Sequence, residues 1–326
     1  MLGHASGWAD QELGGVWWLP GADAARVGGR LLITSDGDVT VELAGGLVDP
    51  LNVAVPVVLG ALSDGRAVTL QGVAVSSRSE VSSRQTGDTT WESVRADSAY
   101  VGRHLPSAAD RLFTKAYIEI EDLLSWIAFP PISQVLSGFP DEQSVRYERP
   151  PEVSAETLIG LVRVVHWAEP YHASDDELRL RAHAGFSVVA PEGRDLDWWR
   201  RQVIRPLQLF TTAVVGRANH VTRLKVMAGD EDVDVVYRQA TQVARARRVF
   251  EFTVPRPRLS NDLAPLIAAW FKLVHDARSS IDLYAASLYL PGYVETEFLN
   301  LVYGLEGYHR RRYPNLVDRS TNTLTF

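Results

Sequence analysis

Four short stretches gather side chains that could do chemistry. In HWAEPYH (166–172), His166, Glu169 and His172 lie close together and invite a metal reading. A helical zinc site needs two histidines four apart around a glutamate. Here the histidines are six apart and Pro170 interrupts any helix, so the residues predict a strand running into a turn. GDEDVDV (229–235) spaces Asp230, Asp232 and Asp234 like a calcium loop. Such a loop also needs glycine at its sixth position and glutamate at its twelfth. This chain offers Val235 and Thr241, which predicts an acidic turn entering a strand. In ARARRVFEFTVPRPR (244–258), Arg245, Arg247, Arg248, Arg256 and Arg258 surround Phe250 and Phe252. Arginines around aromatics suit single-stranded nucleic acid, and a half-buried strand with a basic margin gives the same pattern. Finally, EFLNLVYGLEGYHRRR (297–312) carries Glu306, His309 and Arg310. Glu306 and Arg310 have the spacing of an exposed helical ion pair.

Other chemistries are excluded by residue type. There is no cysteine, hence no thiolate metal site, disulfide or cysteine nucleophile. Neither a GxSxG elbow nor a phosphate-binding glycine loop occurs. No catalytic residue, metal or cofactor is expected from these patterns. The net charge of −7 argues against a general nucleic-acid binder, leaving only a local basic patch. Nine tryptophans raise a second possibility, a carbohydrate- or ligand-binding β-sandwich with aromatic platforms. Most of them sit among apolar neighbours, where core packing is the default use.

The elements that must position these residues fall into two kinds. From residue 15 to about 189 the pattern is mostly β. RLLITSDGDVTVELAGG and VVLGALSDGRAVTL each read as two strands around a turn with Asp-Gly at its centre. Further strands are expected at 99–101, 111–120, 145–149, 158–167 and 178–189. The polar stretch 76–93 is expected to be a long mobile loop, and proline-rich 129–142 to be irregular. A helix is expected over 195–215, kinked or divided by Pro206. Strands should follow at 221–227, 233–237 and 249–254. Helices should run from a cap at Ser260 or Asn261 to about Ala277, then over 279–289 and 294–313.

The expected class is therefore α+β: an antiparallel β-sandwich-like N-terminal domain over 1–255 with a helical insertion near 195–215, and a helical segment over 256–326. The N-terminus MLGHASGWADQELGG lacks the basic and apolar regions of a signal peptide. The longest apolar stretch, 263–274, is interrupted by Pro265 and Lys272 and is too short to span a bilayer. These features predict a soluble, cytoplasmic protein with no membrane partner.

On a helix, Phe298, Leu301, Val302, Leu305 and Tyr308 form one apolar face. FLNLVYGLEGYHRRR resembles the first helix of the HEPN domain in ApeA-type bacterial anti-phage proteins. GGVWWLPG with VGGRLLI, then DVTVELAGG, then VVLGALSDGRAVTLQG resemble the ApeA N-terminal domain in the same order. The resemblance implies a sensor module followed by an RNA-cleaving HEPN domain, which acts by shutting down the infected cell. It also implies a phage-derived trigger as partner, and RNA through the HEPN part. HEPN nucleases carry Arg-x(4–6)-His, and none of the eight histidines here has an arginine at that spacing. The expectation is thus a sensor portion with only the first HEPN helix, at 293–313. Glu306, His309 and Arg310 match polar positions of that helix without forming the nuclease motif. The apolar face at 298–308 predicts self-association or poor solubility.

Overall fold

Alternating apolar residues and Asp-Gly turns build most of the chain into antiparallel strands. The computed structural model describes residues 10–47, 54–83, 87–105, 112–127, 132–136, 143–174, 177–239, 252–254, 262–289 and 292–314. In chain order the first strands are β1 (Gln11–Trp18), β2 (Val27–Ile33), β3 (Val39–Leu43), β4 (Ala54–Leu62) and β5 (Ala67–Ser83). Next come β6 (Gly87–Ala96), β7 (Ser98–Val101), β8 (Phe113–Ile120) and α1 (Leu123–Ile127). They are followed by β9 (Ile132–Leu136), β10 (Gln143–Tyr147), β11 (Val153–Thr157), β12 (Gly160–Ser174) and β13 (Glu177–Arg194). The remainder is α2 (Leu196–Trp199), α3 (Arg205–Val215), β14 (Val221–Ala228), β15 (Glu231–Tyr237), α4 (Leu263–Tyr289) and α5 (Val294–Arg312). The chain forms two compact units, each assembled from three segments.

The first unit comprises Met1–Glu121, His183–Ile204 and His220–Thr241. Its strands run β5-β4-β1-β2-β3-β6, and β6 pairs back onto β5, closing a six-stranded barrel. Gly37 (φ 80°) and Gly65 (φ 87°) supply the left-handed turns of the β2–β3 and β4–β5 hairpins, as their Asp-Gly pairs predict. Trp17, Leu31, Val41, Leu43, Val58, Leu70 and Val94 fill the core of this barrel. Trp17 sits opposite Gly60, whose missing Cβ leaves room for the indole: one built there would lie 2.4 Å from ring carbons. Beyond the barrel, β7 pairs with β5, and the order continues through β15, β14 and β8 to β13. Asp195 caps α2 by accepting a 2.7 Å hydrogen bond from the Trp198 N–H. Trp199 is fully buried and donates to the Phe113 carbonyl at 3.1 Å.

The expectation of a loop over 76–93 is corrected here. Residues 76–83 are the outer half of β5 and 87–93 most of β6, paired from Ala74–Arg95 to Ser83–Gly87, and 84–86 lie outside the described residues. A ribbon with polar residues on both faces carries no apolar period. Its pairing rests on the backbone ladder and on the barrel that holds its base. Within it, Arg78 bonds Glu92 at 2.8 Å, and the Glu92 carboxylate, fully buried, also accepts from the Leu47 N–H. Within 129–142, where irregular structure was expected, Ile132–Leu136 is a strand paired with Gln143–Tyr147, and 129–131 and 137–142 lie outside the described residues.

The second unit comprises Asp122–Ala182, Arg205–Asn219 and Gln242–Phe326. It holds the β9–β10 and β11–β12 hairpins with α1, α3, α4 and α5. Leu209 of α3 packs with Val274, Ile281 and Ala285 of α4. A polar network reinforces that contact: Tyr289 Oη lies 2.8 Å from Thr212 Oγ1 and donates to the Asn219 carbonyl. The expected helix over 195–215 is helical throughout, but Arg200–Ile204 winds as a π-helix just before Pro206. Proline's missing N–H and its ring crowd the preceding turn and widen it. The helices expected at 263–277 and 279–289 are one element, α4, with a non-helical Ala277 (φ −131°, ψ 33°) at the join.

Candidate functional site

The sequence-derived candidates fall in different places. Arg245, Arg247, Arg248, Arg256 and Arg258 lie outside the described residues, so the basic cluster has no geometry here. In HWAEPYH, His166 is buried on β12, and exposed Glu169 accepts a 3.0 Å hydrogen bond from the Trp167 indole. The side chain of His172 is outside the described set. Among the described residues no group of three or more histidines, aspartates or glutamates is placed to hold a metal ion. Asp232 and Asp234 lie on β15, each within 4 Å of the Lys225 ammonium on the neighbouring strand. The segment is an acidic turn entering a strand.

The tryptophans are mostly core. Trp17, Trp18, Trp126 and Trp199 are buried, whereas Trp91 on β6 is 54% exposed. Among the described tryptophans only Trp91 is exposed, as a sugar platform would require. No helix in the described residues is long and apolar enough to cross a membrane.

The C-terminal helices give the most informative geometry. On α5, Gly304, Gly307 and Arg311 lie on one face and meet α4 at its kink. A Cβ at Gly304 would lie 3.1 Å from the Ser280 carbonyl oxygen, and one at Gly307 3.0 Å from Ser280 Oγ. One turn further, the Arg311 guanidinium donates to the carbonyl of Asp276, where the kink interrupts the helix. Arg311 thus adds a side-chain donor to a carbonyl beside the kink. Beside this contact, Lys272, Leu273 and Asp276 of α4 and Tyr308, Arg311 and Arg312 of α5 line an open groove of about 460 Å³. The sequence reading missed Arg311 and the two glycines. Glycines three apart inside an apolar helix were the available signal, since each costs helix stability unless close packing needs it.

Glu306, His309 and Arg310 do not line that groove. Glu306 and Arg310 form an i,i+4 ion pair, with Arg310 60% exposed. Such a pair screens its own charges and contributes little to stability. The His309 ring rests against Tyr313 with ring centres 5.1 Å apart. The three residues share an exposed stretch of α5.

Elsewhere, burial is the main cause that raises two tyrosines. It pushes the Tyr100 phenol up to about 12, its hydroxyl donating to Gln71 Oε1 at 2.9 Å. Burial also raises Tyr284 on α4. Both are acids held neutral at ordinary pH, which is a packing role.

No curated protein and no solved structure matches the chain. The family model for ApeA N-terminal domain 1 matches residues 12–270, from β1 into the first half of α4. With the barrel hairpins in the expected order and most of the chain covered, the chain belongs to the ApeA N-terminal domain 1 family.

Proposed function

We propose that this chain is the sensor or regulatory part of an ApeA-like anti-phage defence protein, and that RNA cleavage is supplied only by a complete HEPN domain. The family match over residues 12–270 carries this reading. Two sequence features support the division of labour: α5 resembles a first HEPN helix, and Arg-x(4–6)-His is missing. The exposed Glu306–Arg310 pair fits a residue set that does no chemistry by itself. A phage-derived component is the trigger the family resemblance implies, bound by the β-rich part.

The test has two arms. Purified chain incubated with total RNA should leave it intact, and robust cleavage by this chain would overturn the non-catalytic reading. In cells, efficiency of plating should fall when the chain is expressed joined to a complete ApeA-type HEPN domain. Loss of that protection on deleting residues 12–270 places sensing in this part. Unchanged protection would remove the sensor role.

A further inference from the structure

We propose that the outer wall of the barrel, where Trp91 stands on β6, binds a polysaccharide of neutral pyranose rings. The inference does not depend on the defence reading; it rests on what surrounds the exposed indole. Along β6 the pleat turns Glu92, Val94 and Ala96 into the barrel and Trp91, Ser93 and Arg95 out of it. Trp91 is 54% exposed, although tryptophan is a highly buried residue on average. Its cross-strand partner on β5 is Ser79. On the other side β3 pairs Leu43 with Glu92, so the next outward residue is Ala44, whose N–H bonds the carbonyl of Gly28 on β2. Ser79, Ala44 and Gly28 are all exposed, and a Cβ built at Gly28 would meet nothing within 4 Å. The indole thus rises from a shelf of small residues with open space beside it.

The next outward row is polar. Arg30 on β2 donates to Glu12 and to Glu42, each at 2.6 Å. The two carboxylates fix the guanidinium, while the side chains of Arg30 and Glu42 stay 56% and 44% exposed. Ser93 stands opposite Glu42 in the pairing of β3 with β6. An aromatic face beside fixed donors and acceptors matches a pyranose, which has C–H groups on its flat face and hydroxyls at its edge. The surroundings disfavour other occupants. Single-stranded nucleic acid also stacks on aromatics, but it needs a positive groove along its phosphates. Here Arg30 is held between two carboxylates, and Arg95 pairs with Asp38. A protein partner needs an apolar core of large side chains, and the shelf around Trp91 is serine, alanine and glycine.

Affinity electrophoresis of the full chain tests this, in native gels containing hydroxyethylcellulose, xylan, galactomannan, mannan or dextran. At least one of these should retard the wild type in proportion to its concentration. Trp91→Ala should weaken that retention by roughly ten-fold, the loss of one ring stack. Trp91→Phe should keep most of it. Ala44→Arg, which fills the shelf and leaves the indole in place, should weaken retention as much as Trp91→Ala. Both positions are exposed, so these variants should keep the wild-type far-UV spectrum; Trp91→Phe keeps the proposal testable if either misfolds. A chain retarded by none of the five polysaccharides would overturn it. So would retention indifferent to Trp91→Ala and Ala44→Arg, or retention lost equally in Trp91→Phe. Binding of a labelled oligothymidylate through Trp91 without any polysaccharide retention would also overturn it, assigning the platform to nucleic acid.

Discussion

The barrel and the C-terminal helix pair treat their apolar residues in opposite ways. In the barrel, the alternation of VTVEL is reproduced as buried, intermediate, buried along β3. Each inward side chain meets others across the closed sheet, because closure gives every strand two neighbours and one interior. In α5 the apolar period is just as clear, yet Gly304 is the buried residue and the leucines are outside. The helix is held by close backbone approach and by Arg311, not by its apolar stripe. Amphipathicity therefore tells which face wants cover, while close packing tells which face has a partner within the chain. In α5 these are different faces.

That contrast can be broken or sharpened in order of expected effect. Trp17→Ala removes a fully buried indole from the barrel core and should cost about 3–5 kcal/mol in urea unfolding. An equally large substitution on the α5 stripe, Phe298→Ala, should change the stability of dilute, monomeric protein by less than about 0.5 kcal/mol, because Phe298 is 63% exposed. Equal costs at the two positions would show that α5 is covered within the chain and would undo the comparison.

The second effect is on pH. The folded Tyr100 phenol titrates near 12 rather than the ordinary 10, so the folded state holds a proton that the unfolded state releases first. Stability from this group is complete below pH 10 and is lost as pH rises toward 12, by about 2–3 kcal/mol. Tyr100→Phe should flatten that alkaline loss in a pH series of unfolding curves. Tyr289→Phe tests the helical unit, removing a hydroxyl that meets both Thr212 Oγ1 and the Asn219 carbonyl. It should cost about 1–2 kcal/mol by leaving those groups short of a partner. The smallest effect is expected at Glu306→Gln, which breaks an exposed ion pair worth at most about 0.5 kcal/mol on a helix. A larger loss at Glu306 would assign that pair a role beyond the surface.

The sequence alone determined what depends on neighbours along the chain. Asp36-Gly37 and Asp64-Gly65 placed two hairpins because glycine's left-handed φ is a local property. Pro206 announced a disturbed helix, and the 277–279 break in the apolar pattern became the kink at Ala277. The order of the barrel hairpins was enough to recognise the family. What tertiary structure decided depends on partners distant in sequence. The ribbon of β5 and β6 has no apolar period of its own, and it is ordered because β6 returns to close the barrel. Gly60 matters because Trp17, far away in sequence, fills its missing side chain's space. Arg311 matters because it donates to a carbonyl at the kink of another helix. Backbone dihedral preferences and periodicity are written residue by residue. Closure, close approach and the choice of covered face are properties of pairs, and a pair exists only once the chain has folded.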